Sequence, residues 1–321
     1  MTSTRRRFRP ALLLIPLALA AGCTSGPAAA PAPPSAPAAS SASLSPMAPP
    51  PIGDVPRLSQ VADRTLPIEA YLLSREDFRQ YDAAQTALVT RCVRGFGLDY
   101  THPLGGTSSE TQTTHRYDPV ELADVSVNGY HSPDPSGGKK PGSEPSLSAD
   151  VITALGSGLG TNGKPASGSP SPFRGKALPP GGCISAAQQE LIAHGGTGRD
   201  AQVAVTINFE GFERSGADPR VKAVFQDWSR CMAERGYTYA TPDDALKDSR
   251  WVASPTPSAE EIATATADVQ CKERTNVVGV WFTVETAYEN ELIRLHQAEL
   301  TAAKAGNDAM LATARAVTAG S

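Results

Sequence analysis

Apolar residues between 218 and 242 recur at helical spacing. Val221, Val224, Phe225, Trp228, Cys231 and Met232 fall on one face of a single helix. Asp218-Pro219 supplies its start, because the carboxylate accepts from orphan N–H groups and proline loses no bond in a first turn. Gly236 supplies its stop. A stripe this regular must be buried, so Cys231 faces other protein and reads as structural.

The same periodicity predicts further helices. One spans 74–94, with Ser74 and Asp77 near its start and Phe78, Tyr81, Leu88 and Cys92 on one face. A short one is expected to start at Asp118-Pro119, with Glu121 closing a capping box, and to stop at Gly129. Cys183 leads a helix through Leu191. Residues 200–214 suit a helix, although their valines and isoleucine also suit a strand. Thr241-Pro242 starts a short helix reaching about Trp251, and Ser258 with Glu261 caps another that carries Ile262, Ala265, Val269 and Cys271. Val277, Trp281, Val284, Tyr288, Leu292 and Leu295 mark a last helix running beyond Leu300, followed by an alanine-rich tail expected to fray.

An internal echo lies 139 positions apart. Arg91, Cys92, Val93, Gly97, Leu98, Tyr100 and Pro103 align without a gap to Arg230, Cys231, Met232, Gly236, Tyr237, Tyr239 and Pro242. The series suggests a duplicated unit.

Residues 1–22 have the form of a signal peptide. Arg5, Arg6, Arg7 and Arg9 make a basic start, residues 11–21 an apolar run too short to span a bilayer, and Ala20-Ala21-Gly22-Cys23 a lipobox. Cleavage is expected between Gly22 and Cys23, with the Cys23 thiol acylated and the chain held at the extracytoplasmic face of a membrane by lipid. The residues Thr4-Arg5-Arg6-Arg7-Phe8 resemble a twin-arginine motif and leave two export routes open. Loss of four arginines and no acid moves the net charge from −4 to −8, which gives no electrostatic reason to bind nucleic acid.

The remaining cysteines are Cys92, Cys183, Cys231 and Cys271. An even number in an exported chain implies two disulfides, and three connectivities are possible. If each repeat closes on itself, Cys92 pairs with Cys183 and Cys231 with Cys271. Their intervals are 91 and 40 residues, and removing a 47-residue insertion brings the first to 44.

The fold class expected is therefore mainly α: a disulfide-stapled helical domain of two related units with a long low-complexity linker and insertion. The order is signal peptide 1–22, lipidated cysteine and Pro/Ala/Ser linker 23–58, first unit 59–131, and Gly/Ser/Pro-rich mobile insertion 132–178. A helix closing the first unit follows at 179–199, then the second unit at 200–304 and the tail at 305–321.

Sharper chemistry finds little support. Gly158-Leu159-Gly160-Thr161-Asn162-Gly163 matches the dinucleotide fingerprint as a string, but no strand precedes it and Pro165 follows. Cys183 at a helix start has the setting of a nucleophile but no local histidine, and no zinc spacing occurs. Asp243-Asp244 and Glu260-Glu261 sit in first turns, where capping explains them. Trp228, Trp251 and Trp281 suit a core better than a sugar platform. No catalytic residue, metal or cofactor is expected.

The lipobox, the linker, the segment from Trp228 to Pro242 and the Ala265-to-Cys271 segment together make the chain similar to uncharacterised exported lipoproteins of high-GC actinobacteria. The resemblance implies location and helical character and transfers no activity. The function expected is a non-catalytic binding or accessory module of the cell envelope, with an envelope protein or cell-wall component as partner. The alternative is a wall-acting hydrolase using carboxylates in an aromatic groove.

Overall fold

Helix ends in this chain are written locally, and in the computed structural model, which describes residues 47–104, 115–131, 147–156 and 172–320, most form where the sequence places them. Helix α1 (Arg75–Gly95) opens on a Ser74/Asp77 capping box. α2 (Leu122–Asn128) and α3 (Ala149–Leu155) are short. A two-residue hairpin, β1 (Pro172–Phe173) with β2 (Lys176–Ala177), precedes α4 (Gly182–Ile192). α5 (Gln202–Ala217) leads directly into α6 (Pro219–Ala233), whose N-cap Asp218 accepts from the Arg220 N–H. α7 (Pro242–Leu246) and α8 (Ser249–Val252) follow, then α9 (Ala259–Thr275) with its Ser258/Glu261 capping box. Asn276, left-handed at φ 60°, turns the chain into α10 (Val277–Leu295), and a break at His296 separates α11 (Gln297–Ala319).

The fold is mainly helical, and both bridges join the pairs expected. Cys92 is bonded to Cys183 and Cys231 to Cys271, each with Cα atoms 5.7 Å apart. Each bridge lies in its own core cluster. The first holds Leu88, Val89, Val93, Val151, Leu155, Leu191 and Met310; the second holds Val224, Trp228, Met232, Ala267 and Val277. The α6 stripe is buried as its spacing requires, except that Phe225 is half-buried, and each large apolar side chain removed from water there contributes roughly 1.5–3 kcal/mol.

The echoed segments share more than their letters. Gly97 and Gly236 both take positive φ, at 73° and 88°. Thr90 and Ser229, also 139 apart, each use a hydroxyl to hold the returning chain: Thr90 accepts from the His102 N–H, and Ser229 donates to the Tyr239 carbonyl. The partner helices differ. Cys92, in the last turn of α1, meets Cys183 in the first turn of α4, so α4 runs back along α1. Trp228 meets Asp268 one turn before Cys231 meets Cys271, so α6 and α9 run the same way.

Several segments depart from expectation. The helix read from Asp118 begins only at Leu122, and its N-cap Glu121 makes no side-chain cap. Within 132–178, read as a mobile insertion in which Ala149–Leu155 form a short helix or nothing, that helix does form as α3, and it buries Val151, Ala154 and Leu155 in the first core cluster. The alanine-rich end does not fray: α11 buries Met310, Leu311 and Ala314 against the first core cluster. Met310, Leu311 and Val317 fall on one face among the alanines, and overall composition does not reveal this. Residues 47–58, expected to be linker, lie on the body, with Met47, Ile52 and Leu58 packed into core clusters. The helix read from Thr241 to Trp251 is two short ones, and Leu295, placed on a buried face, is 54% exposed. The signal peptide, Gly22, Cys23 and Gly158–Gly163 lie outside the described residues.

Replacing Cys231 and Cys271 together by alanine is expected to lower the unfolding free energy by about 2–4 kcal/mol in urea titrations. An effect below about 0.5 kcal/mol would show that the bridge contributes nothing to the folded body.

Candidate functional site: buried ionisable groups along two helices

Helices α9 and α10 carry acids where apolar side chains would be expected. Glu261, Asp268 and Lys272 on α9 and Glu285 and Glu289 on α10 are each at most 3% exposed. Burying a charge is costly unless it is paired and hydrogen-bonded, so each must find partners. Most come from a single segment, residues 115–131, which crosses both helices.

Arg116 donates to Glu285 Oε1 from Nε at 2.9 Å and again from Nη2, and the Tyr117 hydroxyl donates to Oε2 at 2.8 Å. The guanidinium lies 4.7 Å from the centre of the Phe212 ring and also donates to the Asn208 carbonyl. Burial pushes the Glu285 carboxyl up, while the Arg116 guanidinium and the Tyr117 hydroxyl pull it back.

On α9, Lys272 Nζ stands 3.3 Å from Asp268 and donates to the Pro119 carbonyl at 2.9 Å. Asp268 Oδ1 accepts from the Trp228 indole at 2.9 Å, and Oδ2 from the Tyr130 hydroxyl at 3.3 Å. Burial raises the Asp268 carboxyl, and Lys272, Trp228 and Tyr130 oppose it. Both oxygens of Asp268 and of Glu285 are therefore occupied by donors of this chain, which makes them structural acceptors.

Glu261 accepts from the Ser258 and Tyr130 backbone N–H groups and lies 2.7 Å from His131 Nδ1. The other ring nitrogen of His131 faces the Ser254 carbonyl at 2.9 Å and must donate to it. Both nitrogens then donate in the imidazolium, and the Ser254 carbonyl and the Glu261 carboxylate raise the His131 pKa. A raised histidine pKa means stability that is fully present below the unfolded value near 6.5 and lost as pH rises through the folded value. His131→Ala is therefore expected to cost about 1–2 kcal/mol at pH 6 and less at pH 9 in chemical denaturation. Equal losses at both values would contradict a charged His131.

Glu289 is different. Its Oε2 accepts from the Ile68 N–H at 3.0 Å, and Oε1 has no hydrogen-bond partner among the described residues. Burial, with the neighbouring Glu285 charge adding to it, pushes its carboxyl up to about 8.

The residues singled out in the sequence fall elsewhere. Cys183, considered as a nucleophile, is oxidised in its bridge. Trp228 and Trp251 are buried, and Trp281 donates to Ser215 Oγ at 2.9 Å amid Tyr117, Phe212 and Phe225. Asp244 and Glu261 do close capping boxes. Among the described residues no group of His, Cys, Asp and Glu is arranged to hold a metal ion, and no helix is long and apolar enough to cross a membrane. A shallow groove of about 420 Å³ runs between residues 50–53 and the Thr283–Arg294 face of α10.

Sequence reasoning missed the buried acids because Asp268/Lys272 and Glu285/Glu289, four apart, have the spacing of a solvated helix face. One signal was present: Glu285 and Glu289 flank Tyr288 and adjoin Val284 on the apolar stripe. Comparison with protein-family models, with curated proteins and with solved structures finds no match.

Proposed function

We propose that the protein is a lipid-anchored module on the extracytoplasmic face of a cell membrane, serving the envelope as a non-catalytic binding or accessory domain. The observation that carries this reading is the use of cysteine: four are bonded in pairs within the body, and the fifth, Cys23, stands alone at a lipobox. Disulfides persist in oxidising compartments, and a lipobox cysteine has its own use for its thiol. The Pro/Ala/Ser composition upstream of Met47 suits a spacer between an anchor and the body, and the body is built from two units related through their cysteine-bearing helix ends. Envelope proteins or wall polymers are the partners it would meet there.

The buried carboxylates favour this reading over a wall hydrolase. Glu285 and Glu289 lie away from helix starts, as catalytic acids can, but Glu285 is clamped on both oxygens by Arg116 and Tyr117 and both are fully buried. Growth of the producing cells with a clickable palmitate analogue tests the anchor. Label is expected on the wild-type chain in the membrane fraction and absent from a Cys23→Ala form that is released. A Cys23→Ala form that stays labelled and membrane-bound would refute the anchor.

A further inference from the structure

Residues 47–58 are bound to the body in the manner of a peptide ligand. Met47 and Ile52 pack against the cluster that holds Val221, Val284 and Tyr288, and Leu58 joins Val61, Tyr117 and Val278. Between these anchors, polar side chains read the main chain. Arg220 Nη1 donates to the Pro50 carbonyl at 3.0 Å. Asn276 at the α9–α10 corner uses both ends of its amide: Nδ2 donates to the Pro56 carbonyl at 3.0 Å, and Oδ1 accepts from the Leu58 N–H at 3.0 Å.

Arg57 reaches the other way. Its Nη2 donates to the Glu273 and Arg274 carbonyls at 3.1 and 3.0 Å, in the last turn at the negative end of α9. Gly279, in the first turn of α10, lets the segment lie directly on the helix backbone: a Cβ there would stand 2.1 Å from the Pro56 carbonyl oxygen. Main-chain hydrogen bonds that hold an extended segment, with a side chain of defined chemistry at each end of the contact, are the elements of peptide recognition. The proline at 56 presets the extended backbone, arginine at 57 fits a helix C-terminus, and leucine at 58 fills an apolar site.

We propose that the α9–α10 corner is a recognition site for an extended polypeptide segment of proline-arginine-aliphatic chemistry. Pro56-Arg57-Leu58 fill it in cis, and the same series on a separate polypeptide fills it when they leave. The site is independent of lipid attachment at Cys23. A tethered cis segment competes at an effective concentration in the millimolar range, so a free peptide binds the wild-type chain only weakly.

The test is fluorescence anisotropy with a labelled peptide of residues 51–60, PIGDVPRLSQ, against the full mature chain carrying Pro56→Gly, Arg57→Ala and Leu58→Ser. Saturable binding is expected, roughly tenfold or more tighter than to the wild-type chain. A peptide with alanine in place of its arginine should bind roughly tenfold more weakly. Adding Asn276→Gly, which keeps the left-handed corner and removes the amide, should abolish binding.

No saturable binding to a triple variant with wild-type circular dichroism overturns the proposal, as does binding that survives Asn276→Gly. If the triple variant loses its helicity, the single Arg57→Ala chain takes its place under the same criteria. Loss of helicity in that chain too would make the segment an inseparable part of the core, and this also overturns it.

Discussion

Replacing Arg116 by alanine is expected to lower the unfolding free energy by about 3–5 kcal/mol, the cost of leaving a buried charge without its counterion. Glu285 is 0% exposed and Arg116 is its cation, so truncation leaves a carboxylate with only the Tyr117 hydroxyl as donor. Part of the loss is the stacking of the guanidinium on Phe212 and its bond to the Asn208 carbonyl. The paired variant Arg116→Ala/Glu285→Gln separates these contributions. It should recover much of the single variant's loss, because the neutral amide no longer needs a cation. If the double variant is no more stable than Arg116→Ala alone, the energy of this contact lies in packing, not in the ion pair.

Glu289→Gln should do the opposite and stabilise the protein at neutral pH. The folded carboxyl titrates at about 8 and the unfolded one near 4.5. Between those values the unfolded chain releases a proton that the folded chain keeps, so folding loses stability as pH rises from about 4.5 to about 8 and is level beyond. At pH 7 this amounts to about 3 kcal/mol, which the neutral amide removes. Glutamine can keep the bond from the Ile68 N–H through its carbonyl oxygen. Denaturation at pH 4.5 and pH 7 reads the effect: little difference is expected at the lower value and a clear gain at the higher. Equal stability at both would mean that Glu289 is solvated or has found a cation.

The two acids on α10 also show where the sequence stops being informative. The α6 stripe, the capping residues Ser74, Thr241 and Ser258, and the glycines after the cysteine-bearing helix ends are local, and chain chemistry alone located them. The bridges observed, Cys92–Cys183 and Cys231–Cys271, are the connectivity that the echo at 139 positions singled out among three. The polar clamp was not readable. Whether Glu285 is solvated or buried depends on where Arg116 lies, 169 residues away in the chain, and no local pattern encodes that distance.

Proline and alanine misled for a related reason. Composition suggested that 47–58 and 305–321 would stay free, because it reports an inability to build a core. It does not report the ability to lie on one built by others. The 47–58 segment is held through its main-chain atoms and a few side chains, and α11 through Met310, Leu311, Ala314 and Val317, spaced among its alanines to face the first cluster.

The central claim, an exported chain whose body is closed by two local bridges while a fifth cysteine carries lipid, can be tested in one measurement. Mass spectrometry of a non-reducing digest of the chain purified from membranes should find Cys92 linked to Cys183, Cys231 linked to Cys271, and a diacylglyceryl group on a new amino terminus at Cys23. Free thiols at the four body cysteines, or a peptide joining Cys92 to Cys231, would contradict it.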